Sequence, residues 1–299
     1  MRLAVVGCCQ AHGYAHALAH LLPEAEVESV EAVVSRNHGK LTEAAALLRG
    51  FDMLFTQDFG AEFGPLATAA LPALGPPVHR LPLLAFAGYH PDMVYLTSGG
   101  QVQGSPVGAY HSAIIAAAFS LGLPEADVPQ LFNRLVYGRL GYLQRFGAAR
   151  TLLLELLAGY GLDMAAEFEA WHAEGPFMHG INHPRGLALA DVMRAAAIRA
   201  GLLGPVAPKV RPPFDHLAAD TIWPVYPEIA EALGMPHGEA GGLLFKRYSH
   251  PIGPLGNAMY VGLPRLLRES YAMYRALPEA AFHEGAVGQV RKALAAIIG

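Results

Sequence analysis

Hydrophobic and polar positions change their rhythm near residue 100. Before it, short apolar runs end on turn residues: Leu3–Val6 closes on Gly7, and similar runs follow at intervals. Strands are predicted at Arg2–Gly7, Val27–Ser35, Phe51–Thr56 and Leu81–Ala87, with helical composition between them at Ala11–Leu22 and Lys40–Arg49. Alternation of this kind predicts a small parallel sheet with flanking helices. Leu71–Pro82 carries four prolines around Gly75 and reads as a turn-rich connector. After Gly100 the apolar residues recur at helical spacing, in Ala109–Leu121, Ala126–Tyr137, Gly138–Tyr160, Met164–Ala173 and Leu187–Leu203. Leu263–Leu277 and Ala286–Ile298 continue that pattern, while Gly204–Phe214 and Ser249–Asn257 read as irregular connectors. The expected class is α/β, with a parallel-sheet portion over 1–104 and a mainly helical portion over 105–299 packed on it as one compact unit. No fixed-period repeat or low-complexity tract interrupts this plan.

Composition adds limits. With 53% hydrophobic and 15% charged residues among 299, the chain can build a substantial core without staples. A net charge of −4 argues against a general nucleic-acid binder, which needs a basic face. Only four of the 21 basic residues are Lys, so positive charge comes mostly as guanidinium, the group that grips phosphate or carboxylate in a fork. The N-terminal apolar run is too short and too weakly basic for a signal peptide, and no long uninterrupted apolar span suggests membrane insertion. The two cysteines are adjacent, a poor disulfide framework because neighbours seldom reach bridging geometry without strain. A reducing, cytoplasmic setting is the expectation, and a homo-oligomer is left open.

Chemistry is expected first at Cys8, Cys9 and Gln10. They follow the first strand where a helix begins, a position that lowers a thiol pKa and where a carboxamide and turn amides could form an oxyanion hole. Of the pair, Cys9 is expected to face the site while Cys8 packs or contributes to it. Gln57, followed by Asp58, lies after a neighbouring strand and could approach Cys9 from the side.

Three histidines precede proline: His90-Pro91-Asp92, His183-Pro184 and His250-Pro251. Proline forces its predecessor into extended backbone, which presents an imidazole from a stiff loop, as a general base requires. His183, beside Asn182, is the preferred base and His90, beside Tyr89, the alternative. Asp92 is expected to orient an imidazole, and His111 to cap or line the site.

His12, His16 and His20 recur every four residues, but nothing completes a ligand set, so no metal is expected. There is no dinucleotide fingerprint, phosphate loop or Gly-x-Ser-x-Gly elbow. Arg134, Arg139, Arg145 and Arg150 recur along the helical region and would suit phosphates, with Arg139 and Arg145 the candidate cofactor ligands.

Taken in order, Gly7-Cys8-Cys9-Gln10, Phe86-Ala87-Gly88-Tyr89-His90-Pro91-Asp92, Gly108-Ala109-Tyr110-His111-Ser112 and Asn182-His183-Pro184 resemble the WcbI-type polysaccharide biosynthesis acetyltransferases across roughly residues 3–200. In that resemblance Cys9 matches the family cysteine, and Cys8 stands where the family more often has Asn. It implies coenzyme A or acyl-CoA as co-substrate and O-acetylation of a capsule sugar as the reaction. Acyl transfer to a sugar hydroxyl through a Cys/His site is therefore the expected function. A thiol-dependent, esterase-like hydrolase and a non-catalytic CoA- or glycan-binding protein are the rival readings.

Overall fold

The computed structural model describes residues 1–235, 243–248 and 258–298. They form two compact units that are discontinuous in sequence: one comprises 1–85, 152–177 and 183–217, the other 86–151, 178–182 and the chain from 218 onward. The expected boundary at 104/105 falls inside the second unit's first segment.

In the first unit, β1 (Arg2–Gly7) leads through a tight turn into α1 (Ala11–Leu21). Then follow β2 (Glu26–Glu31), α2 (Ala32–Asn37), α3 (Leu41–Leu48), β3 (Met53–Thr56) and β4 (Val78–Arg80). The four strands form one parallel sheet in the order β2-β1-β3-β4. β1 is buried from Leu3 to Gly7, as a parallel strand covered on both faces must be. Ala4 and Val6 join Leu54, Leu48, Phe51 and Leu66 in one core, while Leu3 and Val5 point to the opposite face. Each fully buried Leu or Val here contributes about 1.5–3 kcal/mol of hydrophobic stabilisation. On α1, Gly13 lies so close to Leu189 that a Cβ would fall 2.3 Å from its Cδ1, which lets Leu189 seat against the helix.

Three sequence expectations shift. The strand expected over Val27–Ser35 ends at Glu31, because Ala32 begins a helix whose Ser35 hydroxyl bonds back to the Glu31 carbonyl. Leu81–Ala87 forms no strand: the sheet pairs Val78–Arg80 instead, before Pro82 removes a backbone donor. The connector Leu71–Pro82 contains a 3₁₀ turn, Leu71–Leu74, and the whole of β4.

The second unit contains β5 (Met93–Tyr95), antiparallel to a strand at Tyr110–Ser112, with Tyr95 opposite Tyr110 and Val94 opposite His111. Helix α4 follows at Ala113–Ser120, shorter than expected because its first residues belong to that strand. The Ser112 hydroxyl accepts from the Ile115 N–H at 3.1 Å, an N-cap, and the Asp92 carboxylate accepts from Ile114 N–H at 2.9 Å. Six consecutive α4 residues, Ala113–Ala118, are buried, as expected for a helix apolar all round.

Later helices are α5 (Arg134–Arg139), α6 (Arg145–Gly159), α7 (Ala165–Ala173), α8 (Gly186–Arg199), α9 (Pro227–Ala232), α10 (Leu263–Tyr274) and α11 (Gly285–Ile298). An antiparallel pair, Leu244–Tyr248 with Ala258–Gly262, stands where no strand was expected. Helices thus dominate the C-terminal part, with the parallel sheet confined to the N-terminal part. The expected connector Ser249–Asn257, with His250, lies outside the described residues.

Candidate functional site

In the first unit the site begins at the end of β1. In a 2-1-3-4 parallel sheet, the order in which strands are added reverses between β1 and β3, and ligands gather in the crevice at the carboxyl ends of the strands there. Cys8, Cys9 and Gln10 occupy that end of β1, and Gln57 follows β3 immediately. Gln57 Oε1 accepts from the Cys8 N–H at 2.8 Å, and its amide nitrogen donates to Gln10 Oε1 at 3.1 Å and to the Pro82 carbonyl at 3.2 Å. Gln10 in turn donates to the Leu84 carbonyl at 2.8 Å and accepts from the Leu84 N–H at 3.1 Å.

A side-chain amide thus pairs both ways with the backbone of the segment after β4, as a neighbouring strand would. Both glutamines are buried, so these bonds form in a low-dielectric setting where losing one is costly. Gly7 is required: a Cβ there would sit 2.7 Å from Gln57 Oε1. The two amides, expected to stabilise an oxyanion, are engaged in holding the turn. Gln57 has both amide hydrogens in use, on Gln10 Oε1 and the Pro82 carbonyl.

Both thiols are reduced and half-buried. Cys9 Sγ–H donates to Cys8 Sγ, 3.8 Å away. That bond, opposed by burial and supported by the backbone N–H groups of Gln10 and Cys8, brings the Cys8 thiol down to about 7. The Cys8 carbonyl accepts from Ala11 N–H at 2.9 Å, tying the turn to α1. The geometry therefore gives the two sulfurs unequal roles, with negative charge favoured on Cys8 and Cys9 as its donor.

Other residues of this unit surround the sheet's carboxyl end or lie apart from it. Asp58 receives Arg80 Nε at 2.7 Å, and Arg80 Nη2 and the Tyr160 hydroxyl complete its shell; the guanidinium holds its carboxyl below the usual range. His183 is buried, in extended backbone that Pro184 continues, just before α8.

The helical histidines each take a different hydrogen-bond partner, although the ring centroids of His16 and His20 lie 4.5 Å apart. His12 meets Ser29 Oγ at 2.6 Å and Glu31 at 3.1 Å, His16 Nδ1 meets His216 Nε2 at 3.0 Å, and His20 turns back to the His16 carbonyl. Among the described residues no three His, Cys, Asp or Glu side chains are grouped to hold a metal ion.

The second unit holds the remaining candidates. His90 is buried, and its Nε2 faces the Met178 carbonyl at 3.3 Å, so that nitrogen carries the hydrogen. Burial pushes its pKa down to about 4, so the imidazole is neutral at physiological pH. Tyr89 packs with Phe86, at a centroid separation of 5.1 Å, and with Phe146 at 5.5 Å. Gly88 is needed beneath them, since a Cβ would lie 2.4 Å from the Phe86 ring.

Asp92 does not orient a histidine. Its carboxylate accepts from Tyr142 at 3.1 Å, Tyr226 at 2.6 Å and the α4 backbone, and burial raises its pKa to about 6. Among the described residues the carboxylate pairs with these donors and not with an imidazole, because a buried carboxylate takes the nearest donors and the fold places tyrosines there. His111 is likewise held on both sides, by Tyr274 at 2.9 Å and the Gln103 carbonyl at 3.1 Å. Asn182 accepts from the Tyr110 hydroxyl at 2.7 Å and donates to that of Tyr95 at 2.9 Å.

A cavity of about 160 Å³ in this unit is lined by Pro91, Arg139, Tyr142, Arg145 and Gln289 among others. Arg139 and Arg145 are exposed at it, whereas Arg134 is paired with Glu231 at 2.8 Å. Two guanidinium groups on one cavity suit a phosphate or other small oxyanion. Sequence reasoning found the arginines from their recurrence; Gln289, on α11, carried no signal.

Residues 2–205 match the family described as "Polysaccharide biosynthesis enzyme WcbI". No curated protein matches the chain. Among solved structures, the fold is similar, at a TM-score of 0.72 and 15% identity over 98% of this chain and 94% of the other, to one described as WcbI, a novel polysaccharide biosynthesis enzyme. That structure is described as the native protein without a disulfide bond between coenzyme A and one of its cysteines.

Proposed function

The chain belongs to the WcbI family of polysaccharide biosynthesis enzymes, and from that premise we propose that it transfers an acyl group, acetyl or a relative, from coenzyme A to a hydroxyl of a sugar or polysaccharide precursor. One observation carries the reading: a thiol pair at the sheet's switch point, with one sulfur brought to about 7, in a turn locked by two buried glutamines. A thiol of that acidity is substantially ionised at neutral pH and attacks a thioester readily.

A thiolate of the pair attacks the acyl carbonyl, the thioester bond to coenzyme A breaks, and the leaving thiolate takes up a proton. The sugar hydroxyl then attacks the acyl-enzyme, its proton passing to a base as the enzyme thiol departs. Cys9 is the sulfur that matches the family motif, and Cys8 the one on which the geometry favours charge. His183 serves as the base in this reading. His90 is the alternative base; burial brings its pKa down to about 4, which makes it a poor proton acceptor at neutral pH.

Coenzyme A brings phosphates as well as a thioester. The cavity bearing Arg139 and Arg145 has the donor chemistry for a phosphate group, though its volume is too small for the whole molecule. The sugar acceptor and the cytoplasmic setting belong to the same proposal. Among the described residues no helix is long and apolar enough to cross a membrane.

Intact-mass analysis after mixing with acetyl-CoA tests the reading. An acetyl adduct is expected on the wild type, lost in Cys9→Ala or in Cys8→Ala according to which sulfur accepts the acyl group. Undiminished acetylation of a sugar acceptor in the Cys8→Ala/Cys9→Ala double variant would end the covalent route. Turnover of acetyl-CoA by water alone, at the same rate with and without sugars, would favour the hydrolase.

A further inference from the structure

The pair of cysteines has a property that acyl transfer does not use. Cys8 and Cys9 are the only two cysteines of the chain, both are half-buried, and their sulfurs stand 3.8 Å apart with a hydrogen bond already between them. The backbone of Cys8 is held at its N–H by Gln57 and at its carbonyl by Ala11 N–H, so the turn presents both side chains from a fixed frame.

We propose that Cys8 and Cys9 form a dithiol–disulfide couple that exchanges with low-molecular-weight disulfides, Cys8 attacking first and Cys9 resolving. The acidity of Cys8, near 7, suits the attacking role, since exchange is fastest for a thiol whose pKa lies near the ambient pH.

The steps balance without a further reactant. Cys8 thiolate attacks one sulfur of a disulfide RSSR; a Cys8–SR bond forms, the S–S bond of RSSR breaks, and RS⁻ leaves and is protonated. Cys9, having given its proton to solvent, attacks the Cys8 sulfur and displaces the second RS⁻, which is protonated in turn. Two protein thiols and RSSR become one protein disulfide and two RSH: the thiols are oxidised and RSSR is reduced. Closing the bond requires the sulfurs to move from 3.8 Å to about 2.05 Å. A ring closed between adjacent residues is strained, and strained disulfides are the readily reduced, labile kind. The couple is therefore reversible under mild reductant and differs from a structural staple.

This inference stands on the thiol pair alone, so failure of acyl transfer leaves it intact and the reverse also holds. Its test uses the full chain with glutathione disulfide near pH 7, followed by acid quench, alkylation and intact-mass analysis. Expected for the wild type is loss of both alkylatable thiols, a mass lower by two hydrogens, no retained glutathione, a monomer on non-reducing electrophoresis, and full recovery with dithiothreitol. Cys9→Ser should retain one glutathione on Cys8, because the resolving partner is gone, whereas Cys8→Ser, which lacks the attacking thiol, should react far more slowly; equal trapping in the two variants would overturn the assigned order. A wild type that keeps glutathione bound, forms a disulfide-linked dimer, or retains both alkylatable thiols would overturn the proposal. The wild-type measurement decides even if a variant fails to fold.

Discussion

At the scale of single residues, the site is governed by what each polar group finds within reach. Two adjacent thiols in an aqueous peptide would titrate alike. Here one donates to the other, and the backbone N–H groups of the turn add to the same side, so the Cys8 thiol is brought down to about 7. Cys9→Ala removes the largest of these contributions. The pH profile of Cys8 alkylation should then move up from a midpoint of about 7 towards the ordinary thiol range, as iodoacetamide kinetics across pH would show. An unchanged midpoint would mean that the turn amides, not Cys9, set the acidity. The special place of Cys8-Cys9-Gln10 was readable from the chain, because a strand ending in glycine before a helix is a local signal. Which sulfur carries charge was not, since it depends on a 3.8 Å approach and on backbone hydrogens that only the folded turn aligns.

At the scale of elements, side chains do work that backbone pairing would otherwise do. Gln10 bonds both the N–H and the carbonyl of Leu84, taking up backbone groups that a strand partner would use, in a stretch where Pro82 has already removed a donor. Asp92 does something comparable for α4, capping its first turn while two tyrosines donate to the same carboxylate.

That arrangement has a pH signature. The pKa of Asp92 is raised from 3.8 to about 6 in the fold, so the folded state prefers its protonated form. Its contribution to stability is fully present below about pH 4 and is lost as pH rises through about 6, beyond which it stays constant. Urea unfolding of wild type and Asp92→Asn across this range should show a stability difference that changes between about pH 4 and 6 and is flat above, the variant's amide serving as the non-titrating reference. A difference independent of pH would place the ionisation elsewhere. The strand at Tyr110–Ser112 was missed for a related reason: Ala, Tyr, His and Ser there fit a helix start as well as a strand, and pairing with β5 decides between them.

At the scale of the whole molecule, the thiol pair belongs to the unit that carries the parallel sheet, and Arg139 and Arg145 line a cavity of the other unit. If those arginines receive a phosphate of coenzyme A, Arg139→Ala and Arg145→Ala should each weaken coenzyme A about tenfold, roughly 1.4 kcal/mol. Coenzyme A should also raise the wild-type melting temperature, with a smaller rise in the variants and at high salt, as thermal-shift titrations would record. Equal affinity in all three proteins would show that coenzyme A does not use this cavity. The alternation of apolar runs, the change of rhythm near residue 100 and the ordered Cys, His and Asn motifs were determined by sequence alone, because burial periodicity and turn chemistry act over a few residues. Strand order, the two-way grip of Gln10 on Leu84, the tyrosines around Asp92 and the placing of Gln289 beside Arg139 were decided only by tertiary structure. Each joins residues distant in the chain, and a buried polar group binds whichever partner the fold brings to it.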